Sequence, residues 1–186
     1  KYVTGAFVEG KLAAQSAAAY ADSLADFEHN SLAEKDIVAQ VEHLLIKDNA
    51  EDSPFSTEDL EEAMQQVMDE YAGGISTGYR YTESQLDIAS KHIARLTKLS
   101  HGLRGKDNYQ LLKIFELQER LLICRVLIAH LQARKETRWH SFAENLDYPA
   151  KDAAFEGYIN SRLEQGNIKI IQRQLVGRGE HYEHQH

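Results

Sequence analysis

The chain has 186 residues, of which 42% are hydrophobic and 27% charged, so it can bury a sizeable core but is too short for two large domains. Its net charge of −8 argues against general nucleic-acid binding and against anionic membrane surfaces, because both need a basic face. A single cysteine, Cys124, excludes an internal disulfide and points to a reducing cytoplasm, and no apolar run escapes interruption by Arg, Glu, Gln or Lys, so no membrane span is predicted.

A chain that opens on Lys1 and enters a helix with no leader reads as one cut from something longer. The first helix is predicted over residues 8–28, "EGKLAAQSAAAYADSLADF", where Ala13, Ala14, Ala17 and Ala18 would let it pack closely on another backbone. Ser31 with Glu34 is a capping-box signal for a second helix through Ile46, with Ile37, Val38, Val41, Leu44 and Leu45 at helical spacing. "KDNAEDSPF" is a loop whose acidic cluster is solvated. Ser56 or Thr57 caps a third helix, "TEDLEEAMQQVMDEYA". Leu60, Ala63, Met64, Val67, Met68 and Tyr71 form its buried stripe, opposite an acidic face. Gly73 and Gly74 end it through a left-handed cap, and a flexible linker follows. A fourth helix is predicted over residues 83–100, with Leu86, Ile88, Ala89, Ile93, Leu96 and Leu99 as its apolar positions. "HGLRGKDN" turns the chain into a long fifth helix, "YQLLKIFELQERLLICRVLIAHLQARKE", apolar on most of its circumference and so placed at the centre of a bundle. Cys124 within it reads as a small buried apolar group.

After Glu136 the character changes. "TRWHSFAENLDYPAKDAAFEG" is irregular and dense in aromatic and charged groups, strand-like stretches flank "EQGN" as in a two-stranded hairpin, and "EHYEHQH" is a polar tail. The predicted fold class is mainly α: an antiparallel bundle of about five helices with an irregular C-terminal segment and a short β-hairpin.

Signals for chemistry are sparse. No phosphate-cradling glycine motif is present, since Gly102 and Gly105 lie between two helices. No zinc-spaced Cys/His set occurs in the body of the chain. His181, His184 and His186 could converge on a transition metal, but a flexible His-bearing tail is the favoured reading, and no metal site is assigned. His29, His43, His92, His101 and His130 are scattered polar residues, and Glu58, Asp59, Glu61 and Glu62 mark a solvated helix face. "RKETRWH" differs, because Arg134, Lys135, Arg138 and His140 gather beside Trp139 where a long apolar helix ends. Such a cluster could hold an anionic substrate, a flavin phosphate or a partner's acidic patch. Cations that suit a helix C-terminus would look the same. Arg134, Arg138, Trp139 and His140 are the candidate anion contacts.

Three segments, in order, resemble the C-terminal part of the succinate dehydrogenase/fumarate reductase flavoprotein family, which also holds L-aspartate oxidase and the adenylylsulfate reductase α-subunit. They are "TGAFVEGKLAAQSAAAYA", "MQQVMDEYAGGISTGYR" and "ARKETRWHSFAENLDYPAKD". Trp139 after Glu136-Thr137-Arg138, and "AFVEGK", look closer to adenylylsulfate reductase than to the fumarate and succinate enzymes, which carry Gly in place of Trp139. The chain departs from that pattern at His140-Ser141-Phe142, where Pro-Gly and aromatic residues are usual, and at Glu144, Asn145 and Leu146, where a basic residue is common.

The resemblance implies three parts: residues 1–28 as the terminal helix of a truncated FAD-binding domain, 29–136 as a helical bundle, and 137–186 as an extension with hairpin and polar tail. It implies FAD in an intact parent oxidoreductase, with Thr4, Gly5, Ala6 and Phe7 approaching the flavin as a small-residue turn ahead of a helix. The family's dinucleotide fingerprint and catalytic groups would lie upstream, so this piece alone is expected to hold no cofactor and to be inactive. It would brace the upstream FAD-binding domain and dock an iron–sulfur electron-transfer subunit. The alternative is a free-standing helical module whose acidic third helix and cationic corner meet protein partners without catalysis.

Overall fold

The computed structural model describes residues 2–24, 31–45, 53–138 and 143–175, and the chain divides into two compact units, 1–42 and 43–186.

The first unit holds helix α1 (Tyr2–Ser23) and most of α2 (Ser31–Leu44). The turn expected at Thr4–Phe7 is helix instead, lying in the first two turns of α1. Only Gly5 resists helix formation there, and the roughly 1 kcal/mol it costs is spread over a long alanine-rich helix. α1 ends at Ser23, where the Ser23 hydroxyl and the Leu24 N–H donate to the Tyr20 and Ala21 carbonyls; residues 25–28 of the predicted helix lie outside the described residues. Ile37 and Val38, two of the apolar positions at helical spacing, are 61% and 50% exposed. No described side chain in residues 2–42 is buried, as expected of two helices that have no third layer within their unit to close a core.

The second unit is built on α3 (Thr57–Tyr71), α4 (Glu83–Ser100) and α5 (Asn108–Ala133), each packed on the other two. Local chemistry sets their starts. Ser56 and Asp59, then Thr82 and Gln85, form reciprocal capping boxes, and the Asp107 carboxylate accepts from the Gln110 N–H. α4 has the predicted bounds, with Leu86, Ala89, Ile93 and Leu96 buried as expected and Ile88 exposed. Leu60 and Met64 of α3 meet this core, together with Leu111, Ile114, Leu117, Leu121 and Ile128 of α5. Lys113–Glu58 and Arg120–Glu61 link equivalent ends of α5 and α3, whereas Gln132 of α5 reaches Asp87 at the start of α4, so α3 and α5 run parallel and α4 runs against them.

α5 is not the enclosed central helix its composition suggested. One face is buried, but Leu112, Ile123 and Leu127 are 55%, 64% and 46% exposed. Three helices surround one seam rather than one helix, so the face of α5 that carries Leu112, Ile123 and Leu127 stays exposed. Cys124 is half-buried, and burial pushes its thiol above the ordinary range.

Gly73 (φ 78°) ends α3 in the left-handed conformation, and the Gly74 N–H returns to the Asp69 carbonyl at 3.1 Å, closing a Schellman cap. The following linker is fixed, not flexible. A 3-10 turn over Ile75–Thr77 leads into β1 (Arg80–Tyr81), which pairs in parallel with β2 (Glu144–Asn145) through the Glu144 and Leu146 N–H groups. Beyond it, β3 (Gly157–Glu164) and β4 (Asn167–Gln174) form the predicted hairpin. Gln165 and Gly166 have φ of 49° and 79°, as a two-residue type I′ turn requires. Arg125 of α5 donates to the Gly166 carbonyl at 2.8 Å, and His130 shares a hydrogen bond with Ser161, so the hairpin lies on α5. Among the described residues, no helix is long and apolar enough to cross a membrane.

Candidate functional site

The cationic corner at the end of α5 is organised around an internal anion. α5 stops at Ala133, and Arg134 leaves in an extended conformation. The chain then bends at Glu136 and again at Arg138, and the Glu136 side chain comes to lie between the two guanidiniums. Glu136 is 3% exposed. Its Oε1 accepts from Arg134 Nη1 and Arg138 Nε, both at 2.5 Å, and its Oε2 accepts from the Asp152 N–H at 3.0 Å. Arg134 also donates to the carbonyls of Phe155 and Gly157, both at 3.1 Å, which ties the base of the hairpin to the same group. Burial, the largest single influence, pushes the Glu136 carboxyl up, but the bonds from Arg138, the Asp152 N–H and Arg134 outweigh it and hold the carboxyl below its ordinary range.

The opposite face of the segment is a neutral clasp. Thr137 is buried, its hydroxyl donating to the Tyr148 carbonyl at 2.9 Å and accepting from the Asn145 N–H at 3.0 Å. Asn145, also buried, donates to Glu83 Oε1 and accepts from the Asp147 N–H, while Asp147 accepts from the Glu83 N–H at 2.7 Å. That carboxylate sits at the first turn of α4, where the helix dipole favours negative charge. "ETR" and "NLD" thus lock the extension onto the start of α4 and the end of α5. Lys135 faces outward, 3.8 Å from Glu83 and over the Tyr148 ring.

A cavity of about 430 Å³ opens beside this clamp, lined by Tyr81, His130, Leu131, Arg134, Arg138 and Ile159 among others. Arg134 and Arg138 are therefore brought together, as the sequence suggested, but around Glu136. Trp139 and His140 lie outside the described residues, as do His181, His184 and His186. Thr4, Gly5, Ala6 and Phe7 stand in α1, where Phe7 is 77% exposed and a Cβ added at Gly5 would meet nothing. No group of three or more potential metal ligands occurs among the described residues. Sequence reasoning missed Glu136 as the organising group, although Arg-x-Glu-x-Arg after a helix end is a readable signal. It also missed Tyr81, Glu83 and Asn145, for which no local signal exists.

No family model matches the chain. Among curated proteins, the adenylylsulfate reductase α-subunit of Megalodesulfovibrio gigas is 29% identical over 97 residues, covering 52% of this chain and 15% of that protein. Among solved structures, adenylylsulfate reductase from the hyperthermophilic Archaeoglobus fulgidus matches with a TM-score of 0.83 at 23% identity, over 96% of this chain and 30% of its own. A quinol–fumarate reductase with menaquinol molecules matches with a TM-score of 0.73 at 17% identity, over 90% of this chain and 29% of its own. The chain thus spans less than a third of the length of each. The resemblance to the C-terminal region of the succinate dehydrogenase/fumarate reductase flavoprotein family is found again in sequence by the first relative, and the mainly α fold by the other two.

Proposed function

We propose that this chain is the C-terminal helical domain of an FAD-dependent reductase flavoprotein of the adenylylsulfate reductase or fumarate reductase kind, working in the cytoplasm. The likeness of fold over 96% of the chain is the observation that carries this reading. In that parent the domain braces the FAD-binding domain and offers a docking surface to an iron–sulfur electron-transfer subunit. The exposed apolar residues of α5, Leu112, Ile123 and Leu127, support such a role, because a covering surface would remove them from water. The flavin, when bound, would supply the hydride or electron transfer. This chain would contribute Thr4, Gly5, Ala6 and Phe7, and the room around Gly5 is compatible with close approach of a ring. The N–H group of Thr4 lies in the first turn of α1, where no intrahelical acceptor serves it.

The test has two arms. The reading frame upstream of Lys1 is expected to encode a strand–turn–helix with a G-x-G-x-x-G fingerprint, and the purified 186-residue chain is expected to retain no stoichiometric flavin by its visible spectrum. A start codon directly before Lys1 would overturn the reading and leave a free-standing interaction module. Tight one-to-one FAD retention would show instead that the chain is not the incomplete piece described.

A further inference from the structure

We infer that the cavity beside the Glu136 clamp binds small carboxylates that carry an apolar body. Its volume of about 430 Å³ falls within the roughly 300–1,000 Å³ of small-molecule sites. Leu131, Ala143 and Ile159 supply an apolar wall, and Tyr81 and Arg138 supply hydrogen-bond donors.

The charges around the cavity select the ligand class. Two guanidiniums meet one buried carboxylate in the clamp, which leaves one positive charge over. Arg134 spends both Nη atoms on Glu136 and on two backbone carbonyls. Arg138 engages Glu136 through Nε, and its Nη2 lies a long 3.5 Å from the Asp152 carbonyl, so its outer edge can still donate. Glu156 on the rim is the opposing charge and acts on Arg138 through space, an attraction that its exposure to water weakens but does not remove. A doubly charged phosphate would crowd both Glu136 and Glu156, and a neutral alcohol would leave the Arg138 edge unused. A single carboxylate balances the excess.

Tyr81 adds an independent observation. The residue is 3% exposed and lines the cavity, yet its hydroxyl has no hydrogen-bond partner among the described residues. The ring is packed away while the hydroxyl keeps contact with the cavity, so it is free to donate to water or to a ligand there. Burial, and then the field of Glu83, raises the phenol above its ordinary range, so it remains a donor at neutral pH. His130, whose Nε2 is shared with Ser161 at 2.9 Å, borders the same space. The arrangement gives a definite ligand to the anion expected at Arg134 and Arg138. It does not depend on the flavoprotein reading, since every residue named belongs to the second unit.

The test titrates the full chain with hexanoate and benzoate by NMR, beside hexanol (body without charge) and acetate (charge without body). Saturable hexanoate or benzoate binding, at least tenfold tighter than either comparator, is expected. Tyr81→Phe keeps the packed ring and is expected to weaken carboxylate binding about tenfold while leaving hexanol unchanged. A short peptide with an apolar C-terminal residue, as free acid and as amide, separates the sources: preference for the free-acid peptide over hexanoate assigns the carboxylate to a protein tail, and the reverse to a free metabolite. Either supports the inference. Equal binding of hexanoate and hexanol, no saturation by any carboxylate, or an unchanged affinity in Tyr81→Phe would overturn it.

Discussion

Replacing Glu136 by Gln tests whether the clamp holds the C-terminal extension or merely decorates it. The substitution keeps the shape and removes the charge that receives two guanidiniums and one backbone N–H. Breaking a buried ion pair from one side costs about 3–5 kcal/mol, because the partner charge is left without compensation. Two features of the site place the expected loss at the lower end. The arginine side chains are 29% and 30% exposed and can turn toward water, and the Gln carbonyl can still accept one of the three donors. A loss of about 3 kcal/mol follows, which for a chain of this length lowers the melting temperature by about 9 °C. Urea unfolding followed by circular dichroism, with fluorescence of the single tryptophan, Trp139, one residue beyond Arg138, would measure it. The Asp152 amide should exchange faster with solvent in the variant, since its acceptor has weakened. A loss below about 1 kcal/mol, with Asp152 exchange unchanged, would place the clamp among ordinary surface ion pairs and refute the reasoning.

The acid limb of stability gives a second check. The folded Glu136 carboxyl lies below its unfolded value of about 4.3, so its contribution is fully present above that pH and is lost as pH falls through the lower folded value. The stability difference between wild type and Glu136→Gln should therefore be flat at neutral pH and shrink only below about pH 4.3, as followed by urea midpoints across pH. Gly74→Ala should cost about 3 kcal/mol, since the added Cβ would overlap the Asp69 backbone and stand 2.8 Å from its carbonyl oxygen. Gly10→Ala, in the open middle of α1, should instead stabilise that helix by about 1 kcal/mol, seen as a gain in helical circular dichroism on heating. Gln165→Asn places a residue that tolerates the left-handed conformation at φ 49° and should raise hairpin stability by about 0.5 kcal/mol, read from hydrogen exchange along β3 and β4.

What the sequence disclosed and what it withheld divide along the range of the interactions involved. The start of α4 was legible because Thr82 and Gln85 answer each other's backbone within one turn, and the hairpin because two left-handed residues must sit between Glu164 and Asn167. The linker after Gly74 read as flexible because what fixes it lies far away in sequence: Glu144 and Leu146 donate to Tyr79 and Tyr81, and no local pattern announces a parallel pair. Composition made α5 central, yet it could not say how many neighbours would cover it, and the exposed Ile123 and Leu127 answer that question. The cationic corner shows the same limit most clearly. Arg134 and Arg138 suggested an external anion, while the residue midway between them was already the anion. Their convergence on Glu136 depends on the helix ending at Ala133, and continuing the helix through Glu136 hid it. Two residues apart on a helix, Arg134 and Glu136 would point in different directions; once the helix has ended and the chain bends at Glu136, the two meet. A three-residue question about where α5 stops therefore decides whether "RKETR" reads as an open anion site or as a lock with one positive charge left over, and that remaining charge is what the adjoining cavity has to offer a ligand.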